Sequence, residues 1–147
     1  MKFLSKSLAE TEKFAKDFVS KLAPKKDEAT LVVLSGELGS GKTTFVQCVA
    51  RALGVKENIT SPTFVLIKKY QFPKGDFKIL FHIDAYRLEN GQELAKLGFE
   101  EIVANPSNLI FLEWPENVSE VLPADYLTIK FSFIDEATRA IEYRKIE

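Results

Sequence analysis

An α/β fold, a three-layer sandwich with a mixed central sheet, is what three features of this sequence predict. The run Leu31-Val32-Val33-Leu34 is apolar, β-branched and too short for a helix, and it feeds a glycine-rich loop and then an amphipathic helix. Two more apolar runs of strand size end on carboxylates, Ile79-Leu80-Phe81-His82-Ile83 on Asp84 and Leu109-Ile110-Phe111-Leu112 on Glu113. Unbroken apolar runs suit strands buried on both faces, as parallel strands are. The stretches 64–70 and 77–84, and again 126–133 and 140–146, read instead as hairpins, which add antiparallel strands and make the sheet mixed.

Taken in order, Ser7-Leu8-Ala9-Glu10 is a capping-box pattern, and Leu8, Phe14, Ala15, Phe18, Val19 and Leu22 recur at helical spacing until Pro24. Residues 24–28 are a charged turn before the strand 31–34. The helix after the glycine loop carries Phe45, Val46, Val49, Ala50 and Leu53 on one face and stops at Gly54. Pro73-Lys74-Gly75-Asp76 is the turn of the first hairpin. Residues 92–103 form a short, broken helical region, and Asn105-Pro106-Ser107-Asn108 turns the chain into the strand 109–113.

With 147 residues, 46% apolar and 28% charged, the chain suits one compact domain spanning 1–147, without repeat or linker. A net charge of −1 gives no field that draws the chain onto nucleic acid, so any RNA contact is local or goes through a partner. Cys48 is the single cysteine, which excludes an internal disulfide and a multi-cysteine zinc site. The apolar runs are strand-sized, and Glu10 and Glu12 stand where a signal peptide is apolar, so export and membrane insertion are not expected and the cytoplasm is.

Gly36-Glu37-Leu38-Gly39-Ser40-Gly41-Lys42-Thr43 matches the phosphate-binding pattern G-x-x-x-x-G-K-[ST] in full, between a strand and a helix as its mechanics require. Glycines let backbone N–H groups converge on phosphate oxygens, and the helix adds its N-terminal dipole. Lys42 can reach β and γ phosphates, and the Thr43 hydroxyl can ligate Mg²⁺. The fold class is thereby P-loop NTPase-like, with ATP and Mg²⁺ as ligands. Such a loop needs a carboxylate at the end of a neighbouring buried strand, and both Asp84 and Glu113 qualify; chain order does not say which touches the metal. Thr60-Ser61-Pro62-Thr63 occupies the place of a γ-phosphate-sensing switch loop or of a plain capped Pro turn. His82 reads as a polar strand-end residue and Cys48 as a small core residue. Trp114 is either packing at the sheet's edge or a contact for nucleotide or partner.

These residues together resemble one family, the bacterial ATPase of tRNA threonylcarbamoyladenosine biosynthesis called TsaE, formerly YjeE. The resemblance spans nearly the whole chain. It runs from Thr11 in the first helix through the loop to Thr44 and Thr60-Ser61-Pro62-Thr63-Phe64, then His82-Ile83-Asp84-Ala85-Tyr86-Arg87-Leu88. It continues in Glu93-Leu94, Leu97-Gly98-Phe99-Glu100-Glu101 and Glu113-Trp114-Pro115. The resemblance implies a cytoplasmic ATPase that acts with TsaD and TsaB while threonylcarbamoyl is installed on adenosine 37 of tRNAs. It implies that Glu37, Leu38, Gly39, Ser40, Gly41, Lys42, Thr43 and Thr44 hold the nucleotide, with Thr11 and Arg139 as contacts outside the loop. It makes Thr43 and Glu113 the magnesium ligands, Asp84 the acidic residue for water or outer-sphere metal work, and Lys42, Asp84 and Glu113 the catalytic set.

A small-molecule kinase is the alternative, but its acceptor site is usually covered by a lid bearing arginines, and Arg51, Arg87, Arg139 and Arg144 are scattered. A GTP switch is disfavoured because Asp84 is followed by Ala85-Tyr86-Arg87 instead of D-x-x-G, and the chain contains no N-K-x-D.

Overall fold

The structure is a computed structural model of the chain and describes residues 2–56, 66–72 and 75–146. Seven strands form one sheet: β1 (Lys2–Ser5), β2 (Thr30–Ser35), β3 (Ile67–Gln71), β4 (Ile79–Asp84), β5 (Asn108–Glu113), β6 (Tyr126–Phe133) and β7 (Arg139–Ile146), in the order β1-β7-β6-β2-β5-β4-β3. β2 pairs in parallel with β5 and β6, and β5 in parallel with β4. The β3–β4, β6–β7 and β1–β7 pairs are antiparallel, so the sheet is mixed as the hairpin patterns predict.

Period-two alternation divides each central strand between two cores. Val32 and Leu34 of β2, with Leu109 and Phe111 of β5, meet the helices α1 (Leu8–Ser20) and α2 (Lys42–Ala52) in a core centred on Phe14, Phe18 and Phe45. Leu31 and Val33, with Ile110 and Leu112, face the other core, which contains Leu94 of α3 (Gly91–Ala95) and Phe99 of α4 (Phe99–Ala104). Apolar cover on both faces is why these strands read as unbroken hydrophobic runs. Cys48 is buried in the first core, as its reading predicts.

Ser7 caps α1 by accepting from Glu10 N at 3.1 Å, while the Glu10 carboxylate accepts from Lys6 N at 2.8 Å, one residue before the cap. The helix ends at Ser20, two residues before the Leu22 of the periodic pattern, and Leu22 still packs against the core through a final turn, Leu22 N to Val19 O at 3.1 Å. The broken region 92–103 is two short helices, α3 and α4, separated at Gly98, whose φ is +92°. The first hairpin is shorter than its pattern: β4 begins at Ile79 although Phe77 is buried, and β3 begins at Ile67. Phe64 and the turn residues Pro73 and Lys74 lie outside the described residues. Two elements have no counterpart in the sequence reading: the four-residue strand β1, too short for alternation to register, and a 3-10 helix over Pro115–Val121. Among the described residues no helix is long and apolar enough to cross a membrane.

Candidate functional site

The glycine loop joins the central strand β2 to the N-terminus of α2. Gly36 is closely packed, since a Cβ there would run into the Phe131 carbonyl and stand 2.8 Å from Ser40 Oγ, at a φ of +140°. Gly41 enters the helix at a φ of +107°, a left-handed value that favours glycine, and its carbonyl accepts the first helical bond from Phe45 N at 2.9 Å. Ser40 N bonds Glu37 O at 3.2 Å, and the Glu37 carboxylate accepts from Phe133 N at 3.1 Å, which ties the loop to the end of β6. Leu38 is exposed at the loop's tip.

Lys42 opens α2 and curls back over its own loop. Its Nζ donates to Gly36 O and lies 3.8 Å from the centroid of the Trp114 ring. Burial pushes its pKa below the ordinary value, against the attraction of Glu113, Glu116, Asp84 and Glu37. Thr43, the next residue, donates from Oγ1 to Glu113 Oε2 at 3.0 Å.

Asp84 and Glu113 are paired neighbours at the ends of the parallel strands β4 and β5. The structure therefore brings both carboxylates to the loop. It gives Glu113 the direct contact with Thr43, while Asp84 Oδ1 accepts from Tyr86 N at 2.9 Å. Burial raises the Asp84 pKa, offset in part by the Tyr86 N–H; the Glu113 charge raises it further. Lys42, Thr43, Asp84, Arg87, Glu113 and Trp114 line a cleft of about 300 Å³.

Two readings change here. His82 is fully buried instead of a polar residue at a strand's end, and its Nε2 lies 2.6 Å from Glu113 Oε2, because alternation along β4 puts it on the same face as Asp84, whose partner on β5 is Glu113. Trp114 is not at the sheet's edge, since β5 lies between β2 and β4. It follows an interior strand in a left-handed conformation (φ 63°), held by Trp114 N to Leu34 O at 3.3 Å and by contact of its ring with Tyr86, the centroids 4.9 Å apart.

On the other side of the loop Ser5, Thr11, Ser40, Thr44 and Arg139 line a cavity of about 160 Å³. Thr11 Oγ1 and Ser5 Oγ are 2.6 Å apart. Arg139 stacks over the Phe133 ring at 4.7 Å and donates to Asp135 O at 2.6 Å. Its side chain also passes the loop, 3.8 Å from where a Gly41 Cβ would stand. Sequence reasoning missed Ser5, which needs the unrecognised strand β1. It also missed Asn117, whose amide donates to Ala85 O at 3.0 Å and Tyr86 O at 3.2 Å and pins the segment after Asp84. The Pro115 helix start after Trp114 was the available signal for Asn117. Thr60, Ser61, Pro62 and Thr63 lie outside the described residues.

The donor chemistry fits a hard cation held by few protein ligands. A hydroxyl and a carboxylate oxygen are the hard oxygen donors that magnesium takes, few in number beside its waters. Thr43 Oγ1 and Glu113 Oε2 stand at 3.0 Å. Among the described residues no group of three or more His, Cys, Asp and Glu side chains is arranged to hold a metal ion.

Fold and site together define an α/β protein with a mixed seven-stranded sheet, a glycine loop between its central strand and a helix, and paired strand-end carboxylates facing that loop. The chain belongs to the TsaE family: the model of the family described as "Threonylcarbamoyl adenosine biosynthesis protein TsaE" matches residues 5–141. A tRNA threonylcarbamoyladenosine biosynthesis protein TsaE of Rickettsia prowazekii is 36% identical over 140 residues, covering 95% of this chain and 91% of the relative. The protein of the same name from Streptomyces coelicolor is 42% identical over 101 residues, 68% of this chain and 66% of its own. Among solved structures, Bacillus subtilis YdiB superposes with a TM-score of 0.79 at 26% identity, covering 100% of this chain and 86% of that one.

Proposed function

We propose that this chain is a single P-loop NTPase-like domain that binds ATP with Mg²⁺ and hydrolyses it in the cytoplasm. In that role it serves the bacterial machinery that forms N6-threonylcarbamoyladenosine at position 37 of tRNAs, acting with a TsaD–TsaB transferase complex and meeting tRNA through it. The observation that carries this reading is the Thr43 hydroxyl and Glu113 carboxylate brought together at the mouth of the glycine loop, beside Asp84. Family membership supports the biological setting.

The loop backbone from Leu38 to Thr44 and the start of α2 bind the phosphates, and Lys42 leaves Gly36 O and the Trp114 face to compensate their charge. Thr43 and Glu113 hold the ion, which when bound offsets charge on the phosphate oxygens. Asp84 orients the attacking water; its burial and fixed contact with Tyr86 N suit a positioned acceptor. Thr11, Ser40, Thr44 and Arg139, lining the second cavity, take the nucleoside end. Positioning supplies most of phosphoryl-transfer catalysis, so a partner pressed on Tyr86, Arg87 and Trp114 raises a slow basal rate.

The test is ATP and GTP hydrolysis by the chain alone, with small acceptors, and with TsaD, TsaB and tRNA. ATP turnover stimulated by the partners supports the reading, and Trp114→Ala and Arg87→Ala should keep ATP affinity while losing the stimulation. Phosphoryl transfer to an acceptor, or failure to bind ATP at all, overturns it.

A further inference from the structure

The one histidine of the chain, His82, is enclosed on β4, between β5 and the edge strand β3, where an aliphatic side chain would be the ordinary occupant. Its Nδ1 has no hydrogen-bond partner among the described residues, so the fold carries a buried polar nitrogen unsatisfied. Its other nitrogen, Nε2, is 2.6 Å from Glu113 Oε2, the same oxygen that accepts from Thr43 at 3.0 Å.

We propose that His82 is a positioning residue for the metal-binding carboxylate: through its Nε2–H it donates to Glu113 Oε2 and fixes that oxygen opposite the Thr43 hydroxyl. The inference rests on the reading of Thr43 and Glu113 as magnesium ligands and adds a role that this reading does not need.

The proton's place follows from the contact. With the proton on Nδ1 alone, the Nε2 lone pair would face a carboxylate oxygen at 2.6 Å, so the proton in this contact sits on Nε2. The need for a second donor follows from what happens when an ion arrives. The Thr43 hydroxyl bonds Glu113 through its proton, and when both oxygens turn to one cation that bond is given up. The His82 N–H does not depend on the Thr43 proton, so it would still hold the three-torsion glutamate side chain once that bond is lost. Donors of this kind behind a ligating group typically change metal affinity 10–100-fold when removed.

The experiment compares His82→Met with His82→Gln, side chains of equal length of which only the second can donate. Calorimetric titration of ADP in EDTA should give the same affinity for wild type and both variants. With magnesium chloride, His82→Met should need about 10–100-fold more metal for the same gain in ADP affinity, and His82→Gln should recover most of it. In the wild-type chain, nitrogen NMR of the single imidazole should find the proton on Nε2 before and after MgADP is added, a readout that stands even if His82→Met does not fold. A wild-type magnesium requirement in His82→Met overturns the inference and leaves the site reading standing. So does a proton on Nδ1 alone, or a His82→Gln chain as impaired as His82→Met. Absence of any magnesium effect on ADP binding in wild type removes the site reading, and this inference with it.

Discussion

The two cavities that flank the glycine loop are built in different ways. The larger one hangs on the ends of interior parallel strands: Asp84 is paired with Glu113, Ala85 N bonds Glu113 O at 3.0 Å, and Trp114 N bonds Leu34 O. The smaller one is assembled from Ser5 on the edge strand β1, Thr11 on α1 and Arg139 on β7. Its chemistry differs as well. The first side gathers an ammonium, two carboxylates and Arg87; the second presents mainly hydroxyls beside Glu136, and the Arg139 guanidinium, partly satisfied by the Asp135 and Thr138 carbonyls, borders both. The contrast teaches a division within one site: the strand-end side concentrates the charges, and the chain-end side is suited to polar recognition by hydroxyls.

The largest effect expected from breaking this division is on the charged side. Lys42→Ala should lower ATP hydrolysis on the order of a hundredfold or more and weaken nucleotide binding, because it removes the cation that compensates charge on the phosphates as the transition state develops it. Steady-state turnover measures it. If Arg139→Ala cost as much, the two sides would not differ in kind.

Next in size, the paired carboxylates should separate from each other. Glu113→Ala should raise the magnesium requirement and spare metal-free ADP binding, while Asp84→Asn should spare binding and slow hydrolysis, in titrations with and without Mg²⁺. Asp84 carries a stability consequence too. Its folded pKa is raised above the ordinary 3.8 by burial, so the native state holds the proton more tightly than the unfolded chain does. Stability contributed by this group therefore falls as pH rises from its ordinary value through the raised one. At neutral pH without metal, Asp84→Asn should melt higher than wild type. A lower melting temperature would mean that the ionised carboxylate is better compensated than its burial implies.

The same division explains what could be read from sequence. The charged side was legible because its residues end long apolar runs or follow glycines, so local pattern located Lys42, Thr43, Asp84 and Glu113 before any pairing was known. Which carboxylate meets Thr43 was not legible from the runs themselves, since that depends on β5 lying next to β2. The burial of His82 was missed for a similar reason: a histidine in an apolar run takes its environment from strand order. On the other side the partners of Thr11 depend on β1, four residues paired with β7 across almost the whole chain, and no local pattern marks such a contact. Arg139 entered only through family resemblance.

Smaller effects are expected on that chain-end side. Arg139→Ala and Thr11→Val should each weaken nucleotide binding by roughly tenfold or less, the worth of one hydrogen bond or stacking contact. The loss should be equal with and without magnesium. Calorimetry in EDTA and in magnesium chloride checks this, and a loss confined to magnesium would move these residues to the charged side.

The smallest effects should come from two serines on opposite terms with the fold. Ser7 caps α1, its hydroxyl accepting from Glu10 N at 3.1 Å, so Ser7→Ala should cost about 1 kcal/mol of stability through the unpaired N–H groups of the first turn. Ser40 is also buried at this cavity, yet its Oγ has no hydrogen-bond partner among the described residues. Removing a buried hydroxyl that bonds nothing takes away a desolvation cost, so Ser40→Ala should leave the melting temperature unchanged or raise it. The same hydroxyl lies within the glycine loop, where bound phosphate or ribose would satisfy it, and Ser40→Ala should then lower ADP affinity by about 1 kcal/mol, or fivefold. Thermal melts and ADP titrations on the two variants should therefore give opposite patterns, Ser7→Ala losing stability and Ser40→Ala losing affinity. If Ser40→Ala destabilised the chain and kept its affinity, the hydroxyl would belong to the fold, and the chain-end cavity would lose one of its proposed contacts.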